Sequence, residues 1–405
     1  MAIGDLTNFQ IKIGGVEIDY PYEVDIFEDM TNSMGPAFQC RIVDEKDNAK
    51  NFNGSFDQDI EVNFSDESGG NVGFKFKQLE SSDLTDGSKE KQGSLNSKSY
   101  TIKGVCQEFF NAQGNYVQNS FSTKTTSMVE SVLKNNYKTD KPITIEDESS
   151  ETRNIIASNK HPTEFLQGLN EQHVSQKNPS SLYAVFQEQE NNQQKYVVTT
   201  FEERFKRGPV ATIKQSTTLD SSEGTEEDKR NSIMWMNVGQ NFFSGTQHYK
   251  TAKPQYVNLT THKVTVEENN QEQQFATGGQ PVIRGKPTNA KEVPVDSVYS
   301  KVNEPNQRVT HATAKANRAK YTADLAQNSA EVEIPGNPKI KIGSTINMEV
   351  PNRTGEGGSS TPESQFGDKV LVTKIRHKIK PAGQTPRYTM VLTVVKAGFA
   401  QGGTA

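Results

Sequence analysis

The sequence predicts a mainly β chain of the α+β class, and three observations carry that expectation. Residues 1–106 break into short runs of alternating apolar and polar residues separated by Gly, Asn and Asp. Residues 107–215 change character, with two stretches of helical periodicity followed by further strand-like runs. The last quarter joins an alanine-seamed helix to long alternating strands.

In the first part, Phe9–Ile13 and Val16–Tyr20 flank Gly14 and Gly15, a hairpin signal. Glu23–Phe27 and Phe38–Val43 follow as strands. Asp59–Phe64 and Val72–Leu79 flank a loop containing Gly69 and Gly70. Ser81–Asn96 is polar and reads as a loop, and Ser99–Cys106 closes the set. Six or seven short strands at this spacing suggest a barrel or sandwich.

In the middle part, Thr126–Tyr137 reads as a helix with Ser127 and Glu130 in capping-box spacing and Met128, Val129, Val132 and Leu133 on its apolar face. A second helix is expected from Pro162 to Gln176. Proline suits its first turn, and Phe165, Leu166, Leu169 and Val174 form its buried stripe. Ser181–Gln187, Lys195–Thr200 and Ala211–Lys214 read as strands. Residues 216–230 are polar and acidic, as a linker would be.

Ser232–Val238, Tyr256–Leu259 and His262–Val266 resume the β pattern, and residues 267–307, rich in Asn, Gln, Pro and Gly, read as an extended excursion. From about Arg308, Ala312, Ala316, Ala319, Ala323 and Ala326 recur at helical spacing on one face, which lets that helix approach another backbone closely. Ala330–Val350 then alternates as a half-buried strand punctuated by Gly336 and Gly343. Lys369–Lys380 and Arg387–Lys396 follow as long paired strands, with a Gly/Ser-rich loop at 353–367 and a loose tail at 398–405. The expected plan is one β domain at 1–106, an inserted α+β domain at 107–215, and a second β domain from 216–266 and 308–398, interrupted by the excursion at 267–307.

Composition narrows the function. A chain of 405 residues needs more than one core. Only 32% is hydrophobic and mean hydropathy is -0.76, which implies modest cores and further burial on assembly. Cys40 and Cys106 are too few for a disulfide framework and read as small buried hydrophobes. The N-terminus has no basic and apolar leader pattern, and no apolar run reaches membrane-spanning length, so a soluble protein made in a cytoplasm, without membrane insertion, is expected. Residues 301–405 carry 15 Lys and Arg against 8 Asp and Glu, although the whole chain is net -5. Such asymmetry arises from solvated strand faces or from an acidic partner.

Signatures of catalysis are missing. His161, His173, His248, His262, His311 and His377 form no metal-ligand spacing, and no nucleophile elbow occurs. Gly279–Pro287 imitates a phosphate loop, but its spacing is one residue too long, and Pro287 stands where a hydroxyl is required. The acidic runs Glu146–Glu151 and Glu223–Asp228 read as solvated loops. The most basic segment, Lys374–Lys380, would place Lys374, Arg376, Lys378 and Lys380 on one strand face, with Ile375, His377 and Ile379 on the other. No aromatic residues interleave to stack bases, so this face is expected to be exposed or salt-bridged to an acidic neighbour. No catalytic, cofactor-binding or metal-binding residues are assigned, and partner-binding residues are left open.

The order of a β domain, a helix opening near Lys160-His-Pro-Thr-Glu-Phe-Leu166, an alanine-rich helix, and Glu331-Val-Glu-Ile-Pro-Gly-Asn-Pro-Lys-Ile-Lys-Ile-Gly343 resembles the central baseplate hub proteins of contractile-tail bacteriophages. The same fold opens the spike proteins of type VI secretion systems. Ile334, Pro335, Gly336, Pro338, Ile340 and Gly343 hold the places that match the family's second-barrel motif. The resemblance implies two tube-like antiparallel β-barrel domains around the insert and a structural, non-enzymatic virion protein without cofactors. It also implies a homotrimer joining the sixfold tail tube to the threefold spike, with no spike extension of its own. Implied partners are the tail-tube protein, the central spike protein and other baseplate proteins, with DNA passing through the channel without specific binding. The expected location is the tail baseplate of a virion assembled in the bacterial host cytoplasm. The basic strand face would then meet a protein neighbour. Two alternatives stand beside it: another tail-tube or baseplate component, and a peptidoglycan-degrading tail enzyme using helix carboxylates such as Glu164.

Overall fold

The computed structural model describes residues 4–18, 21–44, 57–66, 70–84, 98–178, 181–190, 193–215, 225–239, 253–258, 263–266, 294–300, 325, 329–350, 368–382 and 385–396. Chain order begins with β1 (Leu6–Ile13), β2 (Val16–Glu17), β3 (Pro21–Asp29), β4 (Ala37–Asp44), β5 (Asp59–Asp66), β6 (Asn71–Leu84) and β7 (Lys98–Cys106). These pair antiparallel in the order β3-β4-β7-β6-β5-β1-β2. Gly14 and Gly15 form the expected turn, both at positive φ, so that Ile13 faces Val16. The strand β6 runs on through Ser81–Leu84, where a loop was expected. Its second half pairs with β7 after a register shift between Gln78 and Glu80, so a distant strand satisfies the backbone of a polar segment.

The middle of the chain holds α1 (Gln107–Ala112), β8 (Ser120–Lys124), α2 (Thr125–Asn135), β9 (Ile143–Ile145), β10 (Thr152–Ile156), α3 (Pro162–Gln172), β11 (Tyr183–Glu190), β12 (Gln193–Thr200) and α4 (Phe201–Phe205). Both expected helices form with buried apolar faces, but α3 ends at Gln172 rather than Gln176, so Val174 is buried beyond the helix and not in its stripe. Met128, Val129, Val132 and Leu133 share a core cluster with Leu166, Leu169, Val185, Tyr196 and Val198, separate from the core of the large sheet. The expected capping box of α2 is absent. The helix starts one residue earlier, at Thr125, after an N-cap Lys124 without a side-chain cap, and Glu130 pairs with Lys134 one turn on, at 2.5 Å. A capping box does form at a short helix where a linker was expected. It is α5 (Glu226–Arg230), capped by Thr225 and Asp228.

The remaining strands are β13 (Thr212–Lys214), β14 (Trp235–Gly239), β15 (Lys253–Asn258), β16 (Lys263–Val266), β17 (Pro294–Ser300), β18 (Ser329–Pro335), β19 (Thr345–Glu349), β20 (Asp368–Ala382) and β21 (Thr385–Val395). Part of the expected excursion is thus a strand, β17, which pairs parallel with β15. Of the alanine-seamed segment, Leu325 is helical and buried; its other positions up to Asn328 lie outside the described residues. The Gly/Ser-rich loop and the tail lie outside them as well.

The chain is mainly β with mostly antiparallel pairing, as expected, but the described strands do not form two separate closed barrels. One 13-stranded sheet runs β14-β18-β21-β20-β3-β4-β7-β6-β5-β1-β2, with β13 and β19 attached beside β20. The cause lies in the length of β20. Its first residues, Asp368–Leu371, pair with β19, and its middle, Lys374–Ile379, pairs with β3. A single strand therefore serves C-terminal and N-terminal strands in turn, and one core cluster spans both sets. The sheet curls until the start of β1 meets β21 at a lone bridge between Asp5 and Arg387, where the Tyr388 N–H donates to the Gly4 carbonyl at 2.7 Å.

Candidate functional site

Where β20 crosses from β21 to β3, each of its four basic side chains meets an acid of the same chain. Lys374 lies 2.9 Å from Asp29, Lys378 lies 3.0 Å from Glu333 on β18, and Lys380 lies 3.6 Å from Glu23. Arg376 donates two hydrogen bonds to Asp25, at 2.9 and 2.8 Å, and its guanidinium lies over the Phe27 ring. The Asp25 hydrogen bonds raise the Arg376 pKa further above its ordinary value. The expectation of a salt-bridged face is met, and the acidic neighbour is the chain's own β3 and β18.

The opposite face of the same crossing carries a buried polar chain. The His377 Nε2 is 2.9 Å from Glu28 and its Nδ1 is 2.8 Å from the Tyr388 hydroxyl. All three residues are buried, beside the rings of Phe64 and Phe74. Burial, followed by the charges of Glu28 and Asp66, raises the Tyr388 pKa well above its ordinary value. The Tyr388 ring also packs over Gly336, where an added Cβ would lie 1.8 Å from a ring carbon. This explains why the β18–β19 connection needs a glycine at that place. A cavity of about 190 Å³ opens above the chain, where strands from the N-terminal part, the middle part and the C-terminal part meet.

Two further buried polar groups tie the middle of the chain together. Arg204 is fully buried. It donates to both Glu188 oxygens at 3.0 and 3.2 Å and to Glu146 at 3.0 Å, and lies over Phe186. Asp147 is fully buried too, and one of its oxygens accepts from Ser175, Thr200 and Asn178 at 2.7, 2.9 and 3.0 Å. The expectation that Glu146–Glu151 is a solvated loop is therefore corrected for Glu146 and Asp147. Hydroxyl and guanidinium donors distant in sequence make burial of those carboxylates tolerable.

The histidines are dispersed. His161 caps α3 by accepting from the Thr163 N–H at 3.3 Å, His173 packs on the Tyr183 ring, and His377 sits in the buried chain. His248, His262 and His311, and the segment Gly279–Pro287, lie outside the described residues. Glu164 is exposed on α3. Among the described residues no group of three or more His, Cys, Asp and Glu is placed to hold a metal ion, and no helix is long and apolar enough to cross a membrane. Both cysteines are buried, and burial pushes the Cys40 thiol strongly up and the Cys106 thiol up to about 12. Sequence reasoning missed the buried roles of Glu28, His377, Tyr388 and Arg204. The one available signal was His377, standing among isoleucines on the inward side of an alternating strand.

This geometry belongs to a fold seen in phage tails. The chain is similar to the tail protein from Neisseria meningitidis MC58, with a TM-score of 0.55, 11% identity and 96% of each chain covered. It is equally similar to the 43 kDa tail protein of prophage MuSo2 from Shewanella oneidensis, with a TM-score of 0.54, 11% identity and 96% of each chain covered. A third similar structure is the E. coli c3393 protein, a component of the type VI secretion system with structural similarity to the T4 bacteriophage tail proteins gp27 and gp5. There the TM-score is 0.52 and the identity 10%, with 97% of this chain and 79% of that one covered. No protein-family model matches the chain, and no curated relative does. The shared fold is that of phage tail proteins and of a type VI secretion component, as the sequence resemblance implied.

Proposed function

We propose that this chain is a structural component of a contractile-tail baseplate, the hub that joins a sixfold tail tube to a threefold central spike. The observation that carries this reading is the likeness to two tail proteins over 96% of both chains. A likeness of that extent concerns the whole architecture rather than one module. Three copies form a ring, and each supplies two β units, from residues 1–106 and from 216–266 with 308–398, which gives pseudo-sixfold symmetry toward the tube. Tail-tube protein, spike protein and other baseplate proteins are the partners, and the location is the virion tail, assembled in the host cytoplasm.

The side-chain arrangement supports a structural rather than a catalytic role. The polar clusters described above hold strands from distant parts of the chain together, and their members are mostly buried. Lys374, Arg376, Lys378 and Lys380 of β20 are neutralised by their own chain, so this face offers no free charge to grip DNA passing through the channel.

The test is the native mass of the purified protein across concentrations. A trimer is the expected result. A hexamer would overturn the hub in favour of a tube or ring component. A monomer at every concentration that also degrades purified cell walls, with the activity lost in Glu164→Gln, would replace the structural reading by the enzymatic one.

A further inference from the structure

The cavity beside the Glu28–His377–Tyr388 chain combines charged and apolar groups in one lining. A buried ionic group can usually be replaced by apolar residues of similar volume at no loss of stability. Here a carboxylate, an imidazole and a phenol stand beside Phe64 and Phe74, in a core that apolar side chains would fill as well. They also lie under a cavity of about 190 Å³, room for roughly six waters at about 30 Å³ each.

The lining carries a hydrogen-bond acceptor. Glu28 spends one oxygen, Oε2, on His377, and no hydrogen bond to Oε1 occurs among the described residues. The Tyr388 hydroxyl, 2.8 Å from the His377 Nδ1, adds a second oxygen to the lining. The lining also carries a cation. Lys341 is half-buried in the lining, and its ammonium forms no ion pair among the described residues. Lys339, two positions before it, is paired with Glu227 at 3.1 Å. Asn71 and Gln189 add amide groups. Val72, Phe74, Pro338 and Ile340 add apolar side chains to the lining.

A carboxylate with one oxygen and an ammonium that both lack a partner among the described residues, together with apolar side chains in the same lining, are complementary to one kind of small ligand. We propose that this cavity binds a small zwitterion, an amino acid with an apolar side chain. Its ammonium group donates to Glu28 and the Tyr388 oxygen, and its carboxylate pairs with Lys341. This site is independent of the tail assignment. It asks only that strands from three parts of the chain meet as they do.

The experiment is calorimetric titration of the full-length protein with L-leucine. The controls are glycine, 3-methylbutylamine (leucine without its carboxylate) and 4-methylpentanoate (leucine without its ammonium). Leucine is expected to bind at one site per chain, and each control about tenfold more weakly or worse, because each loses one of the three complementary features. Lys341→Met, at a half-buried position, is expected to fold normally. It should weaken leucine about tenfold while leaving 3-methylbutylamine unchanged. The proposal is overturned if leucine gives no saturable heat, if the amine alone binds as well as leucine, or if Lys341→Met titrates like the parent protein.

Discussion

Replacing Arg204 by Met is predicted to be among the most damaging single changes in this chain. The guanidinium is fully buried and donates to three carboxylate oxygens within 3.2 Å, two on Glu188 and one on Glu146. Met keeps much of the volume but removes the charge, and leaves two carboxylates with side-chain exposures of only 10% and 11%. Breaking a buried pair from one side costs about 3–5 kcal/mol, chiefly for the uncompensated charge. Partial compensation remains, since Lys195 stands 3.7 Å from Glu188 and Arg207 stands 2.6 Å from Glu146. The expected loss therefore lies near the lower end, about 3 kcal/mol. Trp235 is the only tryptophan and lies half exposed on β14, so urea unfolding can be followed by its fluorescence. A second variant, Arg204→Met with Glu188→Met, separates the ionic cause from lost packing. It should be more stable than the sum of the single losses predicts, by about 1–3 kcal/mol. A single variant within about 0.5 kcal/mol of the parent, or a strictly additive double variant, would refute the argument.

Gly336→Ala should cost about 3 kcal/mol, because its Cβ would stand 1.8 Å from Tyr388 and that ring is locked in the core; the urea midpoint measures it. At the Arg376–Asp25 pair the two partners should differ. Arg376→Met strands a carboxylate of 7% exposure and should cost about 2–3 kcal/mol, whereas Asp25→Asn leaves a guanidinium that is 43% exposed to water and should cost roughly half as much in the same assay. Cys106 is held at about 12 in the fold, up from 9.0, and burial raises Cys40 and Tyr388 in the same direction. These groups keep their protons more tightly when folded. Their contribution is complete below about pH 9 and is lost as pH rises toward the folded values, so stability should fall steadily above pH 9 in pH-dependent urea melts. At pH 8 a thiol reagent should find neither cysteine in the native protein and both in urea.

Local pattern exposed most elements of this chain. Alternation located β1, β4, β5, β7, β20 and β21 to within a few residues, because a strand buried on one face must repeat every second residue. Helical periodicity located α2 and α3 with the correct buried faces, apart from Val174 beyond the end of α3, for the corresponding reason. Misreadings arose where partners are remote. The polar end of β6 became strand because β7 accepts it, and β17 became strand because β15 lies beside it. Glu146 and Asp147 looked like parts of an acidic loop because their donors, Arg204, Ser175 and Thr200, lie 28 to 58 positions away.

The sequence by itself determined that the chain is mainly β, which side of each regular element is apolar, and that the basic strand Lys374–Lys380 alternates charge with core. Those properties follow from one segment's own period and composition. Only the tertiary structure decided that β20 would pair with β3 about 350 positions away, that its cations would meet Glu23, Asp25, Asp29 and Glu333, and that His377 would link Glu28 to Tyr388 beneath a cavity. Strand pairing draws on backbone groups that every residue carries, so the partner and the register are selected by the packing of whole faces against one another. That selection is a property of the assembled sheet and is written in no single stretch of the chain.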